Sequence, residues 1–124
     1  MKAIHFHASA LVLTFGVTAA LADEIPQRVG ACVETKITHL GTRLENTPGS
    51  GSAVAFTNGE AQVSYDQVEA VDQSRIGDPV RMCLVSIPKN CPKGDNRGSE
   101  YRTSNLRTHR SWQLPNSSHL CGGA

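Results

Sequence analysis

Aromatic side chains are scarce in this chain. Six occur in 124 residues, and two of them, Phe6 and Phe15, fall in the first 22. That leaves Phe56, Tyr65, Tyr101 and Trp112 for a core, and so modest a core needs covalent staples. No long apolar run repeats with a period of 3.6, which argues against a helical fold. Net charge is nearly missing too: +1 for the whole chain with histidine neutral, and zero once Lys2 is set aside. Such a balance disfavours a general binder of nucleic acid or of membrane surfaces. Internal repeats and low-complexity tracts are absent. So is a Gly-x-Ser-x-Gly nucleophile elbow, and no two cysteines stand in the Cys-x-x-Cys spacing of a structural zinc module.

Residues 1–22, by contrast, form a recognisable unit. Lys2 supplies a short positive start, and Ala8 to Leu21 carries no charge. Ala20-Leu21-Ala22 places small residues at the −3 and −1 positions of a signal-peptidase site, with Asp23-Glu24 next. The apolar run is shorter than the roughly 20 residues needed to span a bilayer. No cysteine sits immediately after the cleavage point, so no lipid anchor is expected. The reading is a cleaved signal peptide, 1–22, followed by one domain, 23–124, of common single-domain size. Its expected location is secreted or periplasmic, with no membrane anchor after cleavage.

All four cysteines, Cys32, Cys83, Cys91 and Cys121, lie after residue 22. An even count in a small exported domain implies two disulfides. Charge divides unevenly: residues 23–79 hold nine acids and four bases, residues 80–124 seven bases and two acids. Either the halves pack side by side and attract, or the second half carries a basic binding face.

Within 23–124 the recurring pattern is period-two alternation between turn residues, the mark of half-buried strands. Cys32 to Leu40 is the first, with Val33, Thr35 and Ile37 on one side and a bend or bulge at Gly41. Ser52 to Asp66 reads as a hairpin closed by a two-residue type I′ turn at Asn58-Gly59. That turn would pair Val54 with Val63 and Phe56 with Ala61, and would place Tyr65 on their face. A short helical segment fits Gln67 to Ile76. Val80 to Ile87 is apolar on both parities, as in a central strand. Lys89 to Gly98 is a loop. A last hairpin, Glu100–Leu106 with Ser111–Leu114, would turn in two residues at Thr108-His109 and share Tyr101, Trp112 and Leu114 on one face. The fold class is all-β: a small barrel of five or six strands, SH3-like or OB-like, with a two-sheet sandwich as the alternative. The last hairpin brings Cys91 and Cys121 to one end, which favours Cys91–Cys121 and Cys32–Cys83. Cys83–Cys91 is the rival pair, and loop-closure energetics favour the first choice only weakly.

Chemistry-bearing residues are dispersed. His39, His109 and His119 sit in three segments, which favours surface roles over a metal site, and no cofactor motif occurs. Asp66, Glu69, Asp72 and Asp78 are close in sequence, as paired carboxylates for acid–base work must be in space, but they also read as a solvated loop. Asp95, Asn96 and Glu100 lack the spacing of a calcium loop and read as a turn. The surface richest in binding chemistry is Arg97, Arg102, Arg107 and Arg110 beside Tyr101 and Trp112, where arginine and aromatic rings together suit anionic or sugar ligands. Trp112, the one tryptophan, is also the natural core residue. Asn116-Ser117-Ser118 matches a glycosylation sequon.

Gly77-Asp78-Pro79-Val80-Arg81-Met82-Cys83-Leu84-Val85-Ser86-Ile87-Pro88, Cys91-Pro92, Asn105-Leu106-Arg107-Thr108, Ser111-Trp112 and the terminal Cys121-Gly122-Gly123-Ala124 resemble a group of small exported bacterial proteins with four cysteines. The resemblance covers most of residues 23–124 and implies compartment and cysteine pattern, with no activity attached. In size and architecture alone the chain is also similar to the periplasmic inhibitors of lysozyme. The expectation is a non-enzymatic envelope protein that binds a protein, a glycan or a cell-wall component through loops, with the strand pair Arg97 to Trp112 and the Pro88 to Gly98 loop as the candidate surfaces. An inhibitor of a secreted hydrolase is the first alternative, and a small carboxylate hydrolase that gathers Asp66, Glu69, Asp72, Asp78 and His119 is the second.

Overall fold

The computed structural model describes residues 2–4, 10–14, 16 and 24–123. The expected cleavage site, between Ala22 and Asp23, lies outside them. Among the described residues, no helix is long and apolar enough to cross a membrane.

Six strands and one short helix follow in order: β1 (Cys32–Thr42), β2 (Ser52–Phe56), β3 (Ala61–Val63), α1 (Glu69–Asp72), β4 (Pro79–Ser86), β5 (Glu100–Asn105) and β6 (Ser111–Pro115). All pairings are antiparallel, in the order β3-β2-β1-β4-β5-β6. The sheet curls until β3 approaches β6 without joining its ladder. The class is therefore all-β, a half-barrel in one sheet. Alternation sends Ile37, Val54, Phe56, Val80, Met82, Leu84, Tyr101 and Trp112 inward. Ala70 and Val71 of α1 join the same core, and α1 packs on β1, β2 and β6.

Both disulfides of the preferred pairing form, Cys32–Cys83 and Cys91–Cys121, and among the described residues no cysteine is free. Cys32 and Cys83 face one another across β1 and β4. The Leu84 amide donates to the Ala31 carbonyl and its carbonyl accepts from Gly30, and the two cysteine Cα atoms lie 4.0 Å apart, so the cysteine pair is the closer, non-hydrogen-bonded kind that a disulfide can bridge.

Three turn details differ from the sequence reading. The β2–β3 loop has three residues, not two, because only Gly59 takes positive φ, at 88°, and Asn58 does not. The result is a type I turn with a glycine bulge. Phe56 donates to the Glu60 carbonyl, and Val54 faces Gln62 where Val63 was expected. A one-residue slip reverses a strand's faces, so Gln62 is fully buried and Val63 lies at the edge. The irregularity in β1 falls between Ile37 and His39 rather than at Gly41. In the last hairpin four residues, Leu106 to His109, separate Asn105 from Arg110, with His109 itself at φ 61°. Asn105 Oδ1 accepts from the Arg107 and Thr108 amides and so stabilises that turn. Here the register moves by two residues, which preserves the faces: Tyr101 pairs with Leu114 and Thr103 with Trp112.

Gln62 explains why the first hairpin slips. Its amide donates to the carbonyls of Tyr101 (2.8 Å) and Leu114 (3.0 Å), and it accepts from Thr103 Oγ1 (2.7 Å) and Trp112 Nε1 (2.9 Å). Each hydrogen-bonding position of the side chain is used. A side chain thus joins β3 to β5 and β6 where the backbone ladder is open. Beside it Glu60 is also buried. Its Oε1 accepts from the Ala61 amide, whereas Oε2 meets no donor in hydrogen-bonding geometry. Burial, and next the Glu60 charge, push the Tyr101 hydroxyl well above its ordinary pKa.

Candidate functional site

The basic surface divides once side chains are placed. Arg102 stands exposed on the outer face of β5, while Tyr101 and Trp112 are buried on the inner face. The other three arginines are paired: Arg97 with Asp95 at 2.9 Å, Arg107 with Asp78 at 2.7 Å and Arg110 with Glu69 at 3.6 Å. Alternation on β5 separates Arg102 from both rings, so the structure does not bring the arginines and the aromatics onto one surface.

Asp78 is the best-held carboxylate. It accepts from Arg107 Nε and Nη2, from Asn105 Nδ2 and from the Arg75 amide. The Arg107 fork is the main reason its pKa lies well below the usual carboxylate range; burial opposes the shift, and Asn105 assists it. Asn105 Nδ2 also donates to Ser74 Oγ, so this buried cluster ties the segment after α1 to β5. The remaining acids of the expected hydrolase set are dispersed. Asp72 accepts from Ser52 Oγ and Gln67 Nε2, and Glu69 meets Arg110. Only Asp66 and His119 share a depression. Among the described residues, no three His, Cys, Asp or Glu side chains gather as a metal site would require.

That depression is a groove of about 560 Å³ between the chain leaving β3 and the C-terminal tail. Tyr65, Ile87 and Leu120 line it while 59%, 50% and 69% exposed. Both walls are held by contacts distant in sequence. Arg43 stacks 4.1 Å over the Tyr65 ring, and the Tyr65 hydroxyl donates to the Ser118 carbonyl. The tail itself is clamped to the 91–98 loop by Cys91–Cys121. Asp95 accepts from Arg97 and from the Gly122 amide, Arg97 reaches the Gly123 carbonyl, and the Cys121 amide donates to the Arg97 carbonyl. Asn116 accepts from the Gly98 amide and donates to the Asn96 carbonyl, so the sequon asparagine is part of this clamp. Gly98, at φ 100°, lies directly beneath Leu120: a Cβ there would come within 2.8 Å of Leu120 Cδ2.

Other depressions are less suited to a ligand. One of about 480 Å³ around Gly51 is lined by Ser52, Gln67 and Asp72, whose polar groups already bond one another. A wider one of about 700 Å³ holds His39 and Arg43, and the Arg43 head group is committed to the Ser50 carbonyl and the Tyr65 ring. Of the residues the sequence singles out, Asp66, His119, Glu100, Ser117 and Ser118 line the groove, as do Pro88 and Gly98 at the ends of the loop between β4 and β5. Tyr65 was expected inside the barrel, and the role of Leu120 depends on where Cys121 anchors the tail. No family model, curated protein or solved structure matches the chain.

Proposed function

We propose that this chain is an exported, non-enzymatic binding protein of the bacterial envelope, secreted or periplasmic, that holds a partner in the groove between Tyr65 and the C-terminal tail. The observation that carries the reading is three large apolar side chains left in water around one concavity, on walls fixed by a disulfide and an ion pair. Contiguous exposed apolar surface of this kind marks interaction sites, and a preformed rigid wall lowers the entropy lost on binding. Two disulfides in so small a domain fit an oxidising compartment. Ion pairing and hydrogen bonding give Asp78, Asp72 and Glu69 work within the fold, which supports binding over acid–base catalysis.

The test is a photo-crosslinker placed beside the groove, in the background of Leu120→Asp or Ile87→Asp. Both positions are exposed, so melting temperatures should stay within a few degrees of the parent protein. A partner identified by mass in the parent and lost in both variants is the expected result. The same partner, crosslinked equally in the charged variants, would remove the groove from consideration.

A further inference from the structure

Resting on the reading of this groove as a binding site, we infer that its ligand is an extended polypeptide segment that adds to the free edge of β3 and presents one apolar and one cationic side chain, two residues apart.

The edge supplies the main-chain argument. Phe56 bonds Glu60 and Ser64 bonds Ser52 across β2–β3, so the Ala53–Val63 pair between them is a non-hydrogen-bonded pair. The N–H and C=O of Val63 therefore point away from β2, toward the groove that Val63 lines. The next outward rung is closed, because the Ala61 amide is taken by Glu60 Oε1. The opposite edge, β6, ends at Pro115, which has no N–H to give. One rung at Val63 is open, and it lies beside the apolar cluster. Strand addition pairs such an edge with an incoming main chain, while alternate side chains enter pockets and confer specificity.

Charge supplies the second argument. Asp66 and Glu100 line the groove, and no lysine or arginine does. Neither acid forms an ion pair among the described residues, and Glu100 receives only a hydrogen bond of 3.3 Å from Gln113. A cationic side chain entering the groove meets carboxylates that no other cation among the described residues occupies. In an added strand, residues i and i+2 share a face and stand about 7 Å apart. One can therefore seat against Tyr65 and Leu120 while the other reaches the acids.

The experiment uses three probes, acetyl-Thr-Leu-Thr-X-Thr-Thr-amide with X as Lys, Gln or Glu, titrated into the oxidised protein by amide NMR. The Lys probe should shift the Val63, Tyr65 and Leu120 amides saturably and bind about tenfold more tightly than the Glu probe, since rim charges contribute a few-fold each and here change sign. Asp66→Asn with Glu100→Gln should abolish that discrimination, and raised salt should reduce it. A Lys probe N-methylated on alternate amides should lose binding if the Val63 rung is used. Equal affinity for all three values of X overturns the cationic assignment, and equal binding of the N-methylated probe overturns strand addition. No shift by any probe at roughly 1 mM overturns the inference altogether. In that case crosslinking lost in Leu120→Asp and Ile87→Asp would still stand for the groove, so the two failures are distinguishable.

Discussion

Gln62→Ala tests the idea that one amide closes the open side of this half-barrel. In the native protein the side chain makes four hydrogen bonds of 2.7 to 3.0 Å and is fully buried. Truncation affects its partners unequally. Tyr101 and Leu114 face each other in the β5–β6 ladder, so their carbonyls retain backbone partners. Trp112 Nε1 and Thr103 Oγ1 lose their acceptor. A buried donor left without a partner costs about 1 to 3 kcal/mol, and the cavity adds to it. The expected loss is about 3 to 5 kcal/mol, a large share of the 5 to 15 kcal/mol typical of a small domain. Gln62→Leu separates the two contributions: it fills most of the volume and leaves the same orphaned donors, so it should recover only the cavity part. Urea unfolding at neutral pH, followed by the fluorescence of Trp112, reads the effect at the site because Trp112 is the only tryptophan. A Gln62→Ala protein within about 1 kcal/mol of the parent would refute the claim that this side chain holds the barrel together.

Further outcomes follow from the buried ion pair, the staples and one close backbone approach. Arg107→Ala should cost about 2 to 3 kcal/mol because it leaves Asp78 buried with a weakened set of donors, whereas Arg102→Ala should change urea stability by less than about 0.5 kcal/mol. Asp78 has a depressed pKa in the folded state, so its contribution is complete above the ordinary value of 3.8 and is lost as pH falls below that toward the lower folded value; Asp78→Asn should flatten this part of an acid-unfolding profile, and an unchanged profile would contradict it. Replacing Cys91 and Cys121 together by alanine should remove up to about 4 kcal/mol by the loop-closure estimate and raise hydrogen exchange of the 116–123 tail, with Cys32–Cys83 left intact. Gly51 sits at φ 111°, where an added Cβ would collide with the Ser64 carbonyl, so Gly51→Ala should separate β2 from the chain after β3 and lower the thermal midpoint by about 10 °C or more, roughly 2 kcal/mol or above.

The differences between sequence and structure concentrate in β3. Asn58-Gly59 suits a two-residue turn, and Ala61-Gln62-Val63 read alone places the two apolar residues inside. Both signals are local, and both give way to one long-range fact: β5 and β6 present a buried indole N–H, a hydroxyl and two carbonyls that only a side-chain amide can satisfy at once. Nothing within ten residues of Gln62 carries that information. The arginines show the same effect. Their number and order are visible in the sequence, but whether each is free or spent depends on Asp95, Asp78 and Glu69, two of which lie about thirty to forty residues away.

What the sequence by itself determined was the class of the fold; it favoured the cysteine pairing, which the structure then fixed. Period-two alternation between turn residues is a local property, and the last hairpin alone places Cys91 near Cys121. Tertiary structure alone decided which face of β3 is buried, which charges remain unpaired and where a groove opens. The buried face of β3 and the groove depend on the approach of β3 to β6, a contact between chain segments about fifty residues apart that the curl of the sheet creates and no local pattern encodes; the charges depend on the packing of α1 and the chain before β4 against the β5–β6 turn.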